Sequence, residues 1–158
     1  MSDMRKPRIL LRGASYHVIA RTNRDETIMR SAEFKEMFLK VMAAALRKHH
    51  FSYYGFCLLD DQIHFIIRPF GRASLSKIMQ WILSVFAMRY NRRMNFRGHV
   101  WYDRFKSRAL SDFFQYLDTY IFVLKRPVAL GLCRNPSSYP YNDLNERFID
   151  FISIYQPP

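Results

Sequence analysis

Acidic residues are few in this 158-residue chain, which has 13 aspartates and glutamates against 25 lysines and arginines. The formal net charge is therefore +12 at pH 7. An excess of this size points to a polyanionic partner, because phosphates attract lysine and arginine side chains. Nucleic acid is the first candidate for that partner, and an anionic membrane surface is the second.

Cysteines and long apolar runs are also scarce. The two cysteines, Cys57 and Cys133, are too few for a disulfide scaffold or a zinc motif. The sequence has no run of about 18 apolar residues, which a membrane span would need, and no basic segment followed by an apolar one at its start. We therefore expect a cytoplasmic protein with reduced thiols and no membrane partner. The length suits a single domain over residues 1–158.

Three stretches have the alternating, β-rich pattern of strands. The second and third are joined by the acidic turn Asp60-Asp61, so they should form a hairpin. The predicted strands are Ser15–Thr22, Phe51–Leu59 and Ile63–Arg68.

Three other stretches repeat apolar residues at helical spacing, and each follows a residue type that favours a helix N-cap. The third should end at Arg126-Pro127, because proline disfavours helix continuation. With Ser31, Ser74 and Ser111 as the N-caps, the predicted helices run to about Lys48, from Leu75 to about Asn91, and from Asp112 to about Lys125.

The order β-α-β-β-α-loop-α predicts an α+β fold with a ferredoxin-like antiparallel sheet. Two helices should cover one sheet face, and the other face is open to a ligand or to the third helix. Side chains alternate along a strand, so Ile63, Phe65 and Ile67 should lie under the helices. Gln62 and His64 should project from the opposite face.

A Gln and a His two residues apart on one strand face can supply half of a metal site. The alternative is that His64 is a hydrogen-bonded structural residue, which is the commoner role of a lone strand histidine.

The segment Asn91–Arg108 is the most basic part of the chain. It holds seven basic residues, counting His99, and four aromatic ones. Such a mixture suits a nucleic-acid strand, because phosphates pair with the cations and bases stack on the rings. The alternative is a solvated loop around a core tryptophan, Trp101. Arg21 and Arg24 form a second basic group, and the N-terminal arm Met1–Arg12 is either solvated or in contact with phosphates.

Four stretches, in order, carry a resemblance to a known family. The chain resembles the single-tyrosine HUH transposases, in particular the REP-associated tyrosine transposases of bacteria. The stretches are Gly13–Val18 with Arg21–Arg24; Leu59–Phe65; Gly98–Trp101 with Arg104–Arg108; and Tyr120-Ile121 with Pro127-Val128 and Gly131-Leu132.

The resemblance implies a metal-dependent enzyme that nicks single-stranded DNA near hairpins and transfers the strand through a 5′-phosphotyrosine link. Tyr120 matches the nucleophile, on a C-terminal helix, and Tyr116 is the fallback. His64 and Gln62 would hold Mg²⁺ or Mn²⁺. The partner would be single-stranded DNA with hairpins, and the protein could form a homodimer. The residues expected to contact DNA are Arg21, Arg24, Arg97, Arg104, Lys106 and Arg108.

The chain also departs from the family pattern. Gln62 replaces the first metal histidine, and Leu124 falls where the family has a polar Asn. Counting back from Pro127 instead places Phe122 at the nucleophile position and Arg126 at the Asn position. These departures favour an alternative function, a catalytically inactive, domesticated module that recognises hairpin or repeat DNA. RNA binding through the sheet is a third hypothesis, less favoured because the chain lacks the usual Lys/Arg-Gly-Phe run.

Overall fold

The computed structural model describes residues 13–23 and 28–145. Their four strands form one antiparallel sheet in the order β2-β3-β1-β4, which is the strand order of a ferredoxin-like fold. The elements are β1 (Ser15–Arg21), α1 (Ala32–Lys48), β2 (Phe51–Leu58), β3 (Gln62–Pro69), α2 (Leu75–Met94), β4 (Lys106–Leu110) and α3 (Phe113–Ala129), followed by a 3-10 turn at Pro136–Ser138.

The α+β, ferredoxin-like prediction is therefore confirmed. Two features of the sequence lie outside the described residues: Arg24 and the N-terminal arm. Within the described part of the chain, no helix combines the length and the apolar character needed to cross a bilayer.

The main core lies between the sheet and the pair α1 and α2. Ile63, Phe65 and Ile67 are fully buried there, as their alternation predicts. The Phe38 ring of α1 stands 5.9 Å from Phe65 and 5.0 Å from Phe86 of α2. Each buried aromatic of this kind contributes about 1.5–3 kcal/mol through removal of apolar surface from water. The two helices are thus fixed to one face of the sheet.

Strand β4 differs from the sequence prediction, which places Lys106–Leu110 at the end of the basic loop and in the approach to α3. Its sequence alternates charged and small residues and carries little apolar signal. The strand forms by pairing with β1, where Lys106 lies opposite Ile19 and Arg108 lies opposite His17. Pairing with a distant strand, rather than local propensity, makes this segment extended.

The bounds of α3 also differ from the prediction. Asp112, not Ser111, is the N-cap, and its carboxylate accepts a hydrogen bond from the Gln115 backbone N–H at 2.8 Å. The helix continues past Pro127, which lies buried in its last turn. It ends where Gly131 takes a φ of +75° and the Leu132 N–H donates to the Pro127 carbonyl. This is a Schellman-type ending, so the glycine stops the helix rather than the proline.

Candidate active site and nucleic-acid interface

Helix α3 covers the sheet face opposite α1 and α2. At its start, the Tyr116 hydroxyl donates to the Tyr54 carbonyl of β2 at 3.1 Å. Further along, Val123 packs in a second apolar cluster with Cys57 of β2. The third helix therefore occupies the face that carries His64, one of the two arrangements that the sequence leaves open.

Two histidines meet beneath α3. His64 of β3 is 2% exposed, and its Nδ1 lies 3.1 Å from Nε2 of His17 on β1. Burial lowers the pKa of His64 to about 3, helped by the nearby His17, Arg126 and Arg21. Burial and the charge of Arg108 lower the pKa of His17 to about 4. Both rings are therefore neutral at pH 7, and a single proton lies between them.

The helix residue that meets this pair is Phe122. Its ring stands edge-on to His64 and to His17, with centroids 6.1 Å and 6.2 Å away. One turn later, the Arg126 guanidinium carbon lies 5.4 Å from the Phe122 ring centroid. On α3, the side chain that faces the histidines is thus the apolar ring of Phe122, and the Arg126 guanidinium lies against that ring.

The two candidate nucleophiles make other contacts. The Tyr120 hydroxyl donates to an Asp143 carboxylate oxygen at 2.7 Å, and its ring lies against Gly55 of β2. Burial, together with the hydrogen bond to Asp143, raises the pKa of Tyr120. Burial also raises the pKa of Tyr116. Both hydroxyls therefore point toward β2 and the segment after α3, and both phenols are held in the protonated form.

A cavity of about 490 Å³ opens beside Phe122, between α3 and the β1–β4 pair. Pairing places Lys106 and Arg108 on the same sheet face as His17, and Arg21, opposite Gln62, on that face too. The cavity is lined by His17, Ile19, Lys106, Ser107, Arg108, Asp118, Thr119 and Phe122.

Three of the arginines and lysines expected to contact DNA thus share one face: Arg21, Lys106 and Arg108. Arg97 and Arg104 are exposed in the loop between α2 and β4 and do not line this cavity. Trp101, in the same loop, packs against the core, and its Nε1–H donates to the Leu83 carbonyl at 2.9 Å.

The family described as IS200-like transposases matches residues 11–121, well over half of the chain. The chain belongs to the IS200-like transposase family. This confirms the predicted membership and, with it, a role in DNA transposition and recombination. The enzymes of this family cleave DNA and transfer strands. The site described above is therefore compared with the requirements of DNA processing.

A solved transposase structure shares the fold. A REP-associated tyrosine transposase bound to a REP hairpin superposes with a TM-score of 0.75 at 17% identity, over 99% of this chain and 89% of the other. A protein from Deinococcus radiodurans R1, named as a candidate transposase, gives a TM-score of 0.49 at 15% identity, over 75% of this chain and 96% of the other. No curated protein matches the chain.

Transposases of this family depend on a metal ion, so the donor set must be compared with that role. The Nε2 atom of His64 is buried and has no hydrogen-bond partner in residues 13–23 and 28–145, which would suit a ligand. However, the described residues contain no group of three or more His, Cys, Asp or Glu side chains that could hold a metal. Gln62 adds only a neutral amide, and the charged side chains that act on His64 are the cations Arg126 and Arg21. Mg²⁺ and Mn²⁺ favour anionic oxygen ligands, so these residues do not fit such an ion.

Two residues of this transposase site, His17 and Asp143, escape sequence reasoning. The sequence presents His17 only as a strand residue, although it projects on the same strand face as Arg21. Asp143, the partner of Tyr120, lies in the tail and carries no signal. Arg126 enters only through the register counted from Pro127. That register selects Phe122 and Arg126, the two α3 residues that lie beside the histidines.

Proposed function

We propose that this IS200-like transposase binds hairpin-bearing single-stranded DNA on the basic face beside α3 and does not nick it through Tyr120. The observation that carries the proposal is the position of Phe122. A hydrocarbon ring, rather than a hydroxyl, faces His64. An attack on a phosphate beside His64 needs an oxygen nucleophile there, and the Tyr120 hydroxyl is engaged by Asp143 instead.

The binding half of the proposal depends on the cavity and its rim. Lys106 and Arg108 line the cavity, and Arg21 lies on the same face. Phosphates of a single strand can pair with these cations, while a base stacks on Phe122, which is 48% exposed. The hairpin requirement is drawn from the resemblance and from the structural relative that holds a REP hairpin.

A second candidate is DNA nicking and strand transfer through a Tyr120 phosphotyrosine link, with Mg²⁺ or Mn²⁺ at His64 and Gln62. Family membership favours it. It requires the Tyr120 hydroxyl to leave Asp143 and lose its proton, although burial raises its pKa. It also requires a divalent ion to be held beside two guanidinium groups.

One experiment separates the two candidates. The protein is incubated with a DNA hairpin that has single-stranded flanks and a dye at its 3′ end, with Mg²⁺ or Mn²⁺, and resolved on a denaturing gel. We expect tight, salt-sensitive binding in solution and no covalent band for wild type or for Tyr120→Phe. A covalent band in wild type that Tyr120→Phe abolishes would overturn the proposal in favour of nicking.

Binding has its own matched control. The double variant Lys106→Gln with Arg108→Gln should weaken binding and reduce the slope of log affinity against log salt by about 0.7 for each phosphate of the single strand that the variant no longer neutralises. Lys40→Gln with Lys48→Gln removes the same charge from exposed positions of α1, on the other side of the sheet. Equal weakening in the two double variants would show that net charge, not this face, binds DNA.

Two further expectations belong to this proposal. The sequence leaves monomer and homodimer both open, and light scattering at binding concentrations would distinguish them. The cytoplasmic location stays a prediction, supported by the two free cysteines and by a partner that is DNA.

A further inference from the structure

Arg126 has a guanidinium group with an unused buried donor. Its Nε atom is buried and has no hydrogen-bond partner among the described residues, although the group stacks on Phe122. A buried N–H of a charged group without an acceptor is unfavourable. Stacking on an aromatic ring also fixes the group in place. The Arg126 guanidinium is therefore fixed in position and retains a donor that an anion could accept from.

Other donors surround the same spot. Arg21 and Gln62 are paired across β1 and β3, next to the Ile19–His64 pair on the same sheet face, at the end of β1 and the start of β3. Their side chains therefore share the His64 face, at the end of the sheet that α3 reaches with its last turns. Within the part of the chain that the structure describes, the buried Nε2 atom of His64 also has no hydrogen-bond partner. Two guanidinium groups, an amide and an imidazole nitrogen thus lie at one end of the site.

We propose that Arg126, Arg21 and His64 bind one phosphate group of the DNA strand without a divalent metal. The inference depends on the DNA binding proposed above and names the group that is bound. Arginine suits the task because its planar fork donates two parallel hydrogen bonds to phosphate oxygens. The fixed guanidinium of Arg126 takes the role that a metal ion would have, which is to place a positive charge beside the phosphate.

The proposal specifies the position of one proton. His64 can donate to a phosphate only if its Nε2 carries the hydrogen. Its Nδ1 must then accept the bond from Nε2–H of His17 across the 3.1 Å contact. A metal ligand would need the opposite arrangement, with the hydrogen on Nδ1 of His64 and a free lone pair on Nε2. The phosphate site and the metal site therefore require different tautomers of the same ring.

The first test reads this tautomer in the wild-type protein by ¹⁵N NMR of the histidine side chains. We expect the Nε2–H form of His64, and we expect its Nε2 signal and the Arg126 Nε–H signal to shift when inorganic phosphate is added at constant ionic strength. The Nδ1–H form, or phosphate shifts absent from both residues, would overturn the proposal even if DNA binds elsewhere.

The second test measures binding of a single-stranded oligodeoxynucleotide in EDTA. Arg126→Gln should bind about tenfold more weakly than wild type, with a salt slope reduced by about 0.7. Lys125→Gln is the control, because Lys125 is the exposed neighbour of Arg126 on α3, and it should bind as wild type does.

The outcomes separate this inference from the proposed function. Binding by wild type that disappears in EDTA, or equal binding by Arg126→Gln and Lys125→Gln, would overturn the phosphate site while leaving DNA binding intact. Failure of the oligonucleotide to bind, together with phosphate shifts at Arg126 and His64, would overturn the DNA partner and retain an anion site. If Arg126→Gln unfolds, the wild-type NMR titration alone decides.

Discussion

Phe122 on α3 stands edge-on to His64 on β3, with ring centroids 6.1 Å apart and planes inclined at 71°. Tyr120 is two residues earlier on the same helix, so its side chain projects about 200° away. The two side chains cannot face the same partner. Val123 packs against Cys57 of β2, and Tyr120 is hydrogen-bonded to Asp143. These two contacts fix the orientation of α3 about its axis, and in that orientation Phe122 is the residue beside the histidines.

The first prediction therefore concerns position 122. Phe122→Tyr adds a hydroxyl to the ring that faces His64, while Gln62→His and Arg126→Asn replace an amide and a cation with metal-compatible side chains. We expect the triple variant to form a covalent adduct with a 3′-labelled hairpin DNA in Mn²⁺, where wild type forms none. The measurement is the band on a denaturing gel.

The matched control carries Gln62→His and Arg126→Asn but keeps Phe122. It should bind Mn²⁺ as the triple variant does and form no adduct. An adduct of equal yield in this control would show that another residue, with Tyr120 first among the candidates, is the nucleophile.

Two kinds of element show how much of the fold can be predicted from the sequence. Helices α1 and α2 begin where Ser31 and Ser74 predict, because a cap is a local hydrogen bond, to Phe34 N–H and Lys77 N–H respectively. Strand β4 escapes prediction, because its structure depends on pairing with β1, about ninety residues earlier. Local signals are sufficient for the first kind and uninformative for the second.

The site depends on distant contacts in the same way. His17 and His64 are 47 residues apart in sequence, so no spacing rule brings them together. The register of α3 is set by packing against Gly55 and by the bond between Tyr120 and Asp143. The family motif selects a helix with tyrosines, but these tertiary contacts decide which side chain reaches His64.

The second prediction tests the structural role of Tyr120. Tyr120→Phe removes a hydrogen bond to a carboxylate, which is worth about 1.5–3 kcal/mol when buried. Because Tyr120 is only half-buried, we expect a decrease near the lower end of that range in the free energy of unfolding, measured in urea. DNA affinity should not change.

Tyr116→Phe is the comparison, since its hydroxyl donates to a neutral carbonyl of Tyr54 and should cost about 0.5–1.5 kcal/mol. A Tyr120→Phe variant as stable as wild type would contradict the assignment of this hydroxyl to Asp143.

The third prediction follows from the buried histidine. The unfolded chain binds a proton at His64 near the ordinary value of 6.5, while the folded chain does so only near a pKa of about 3. Between pH 6.5 and about pH 3, protons therefore bind preferentially to the unfolded state, and the free energy of unfolding decreases as the pH falls. At pH 5 the decrease is about 2 kcal/mol for this one group.

Urea unfolding at pH 7 and pH 5 measures this decrease, and His64→Gln supplies the control. The variant should be less stable at pH 7, because it leaves His17 without its partner. Between pH 7 and pH 5, the free energy of unfolding should decrease less in the variant than in wild type. The difference should be about equal to the decrease attributed above to His64. The same pH dependence in both proteins would mean that other groups cause it.

The fourth prediction concerns how closely α3 packs on the sheet. A Cβ atom at Gly55 would lie 2.9 Å from Cδ2 of Tyr120 and 3.1 Å from its Cε2, both shorter than an ordinary van der Waals contact, so the ring would have to shift. Gly55→Ala should therefore push the ring and the helix away from β2, at a cost of about 1–3 kcal/mol in the free energy of unfolding. A double-mutant cycle with Tyr120→Ala isolates this contact.

In the Tyr120→Ala background, Gly55→Ala should lower the free energy of unfolding only slightly, because Gly55 has no positive φ that would require glycine. An undiminished cost in the Tyr120→Ala background would place the strain in the strand itself. In that case contact with Tyr120 would not be the reason that glycine is needed beneath the helix.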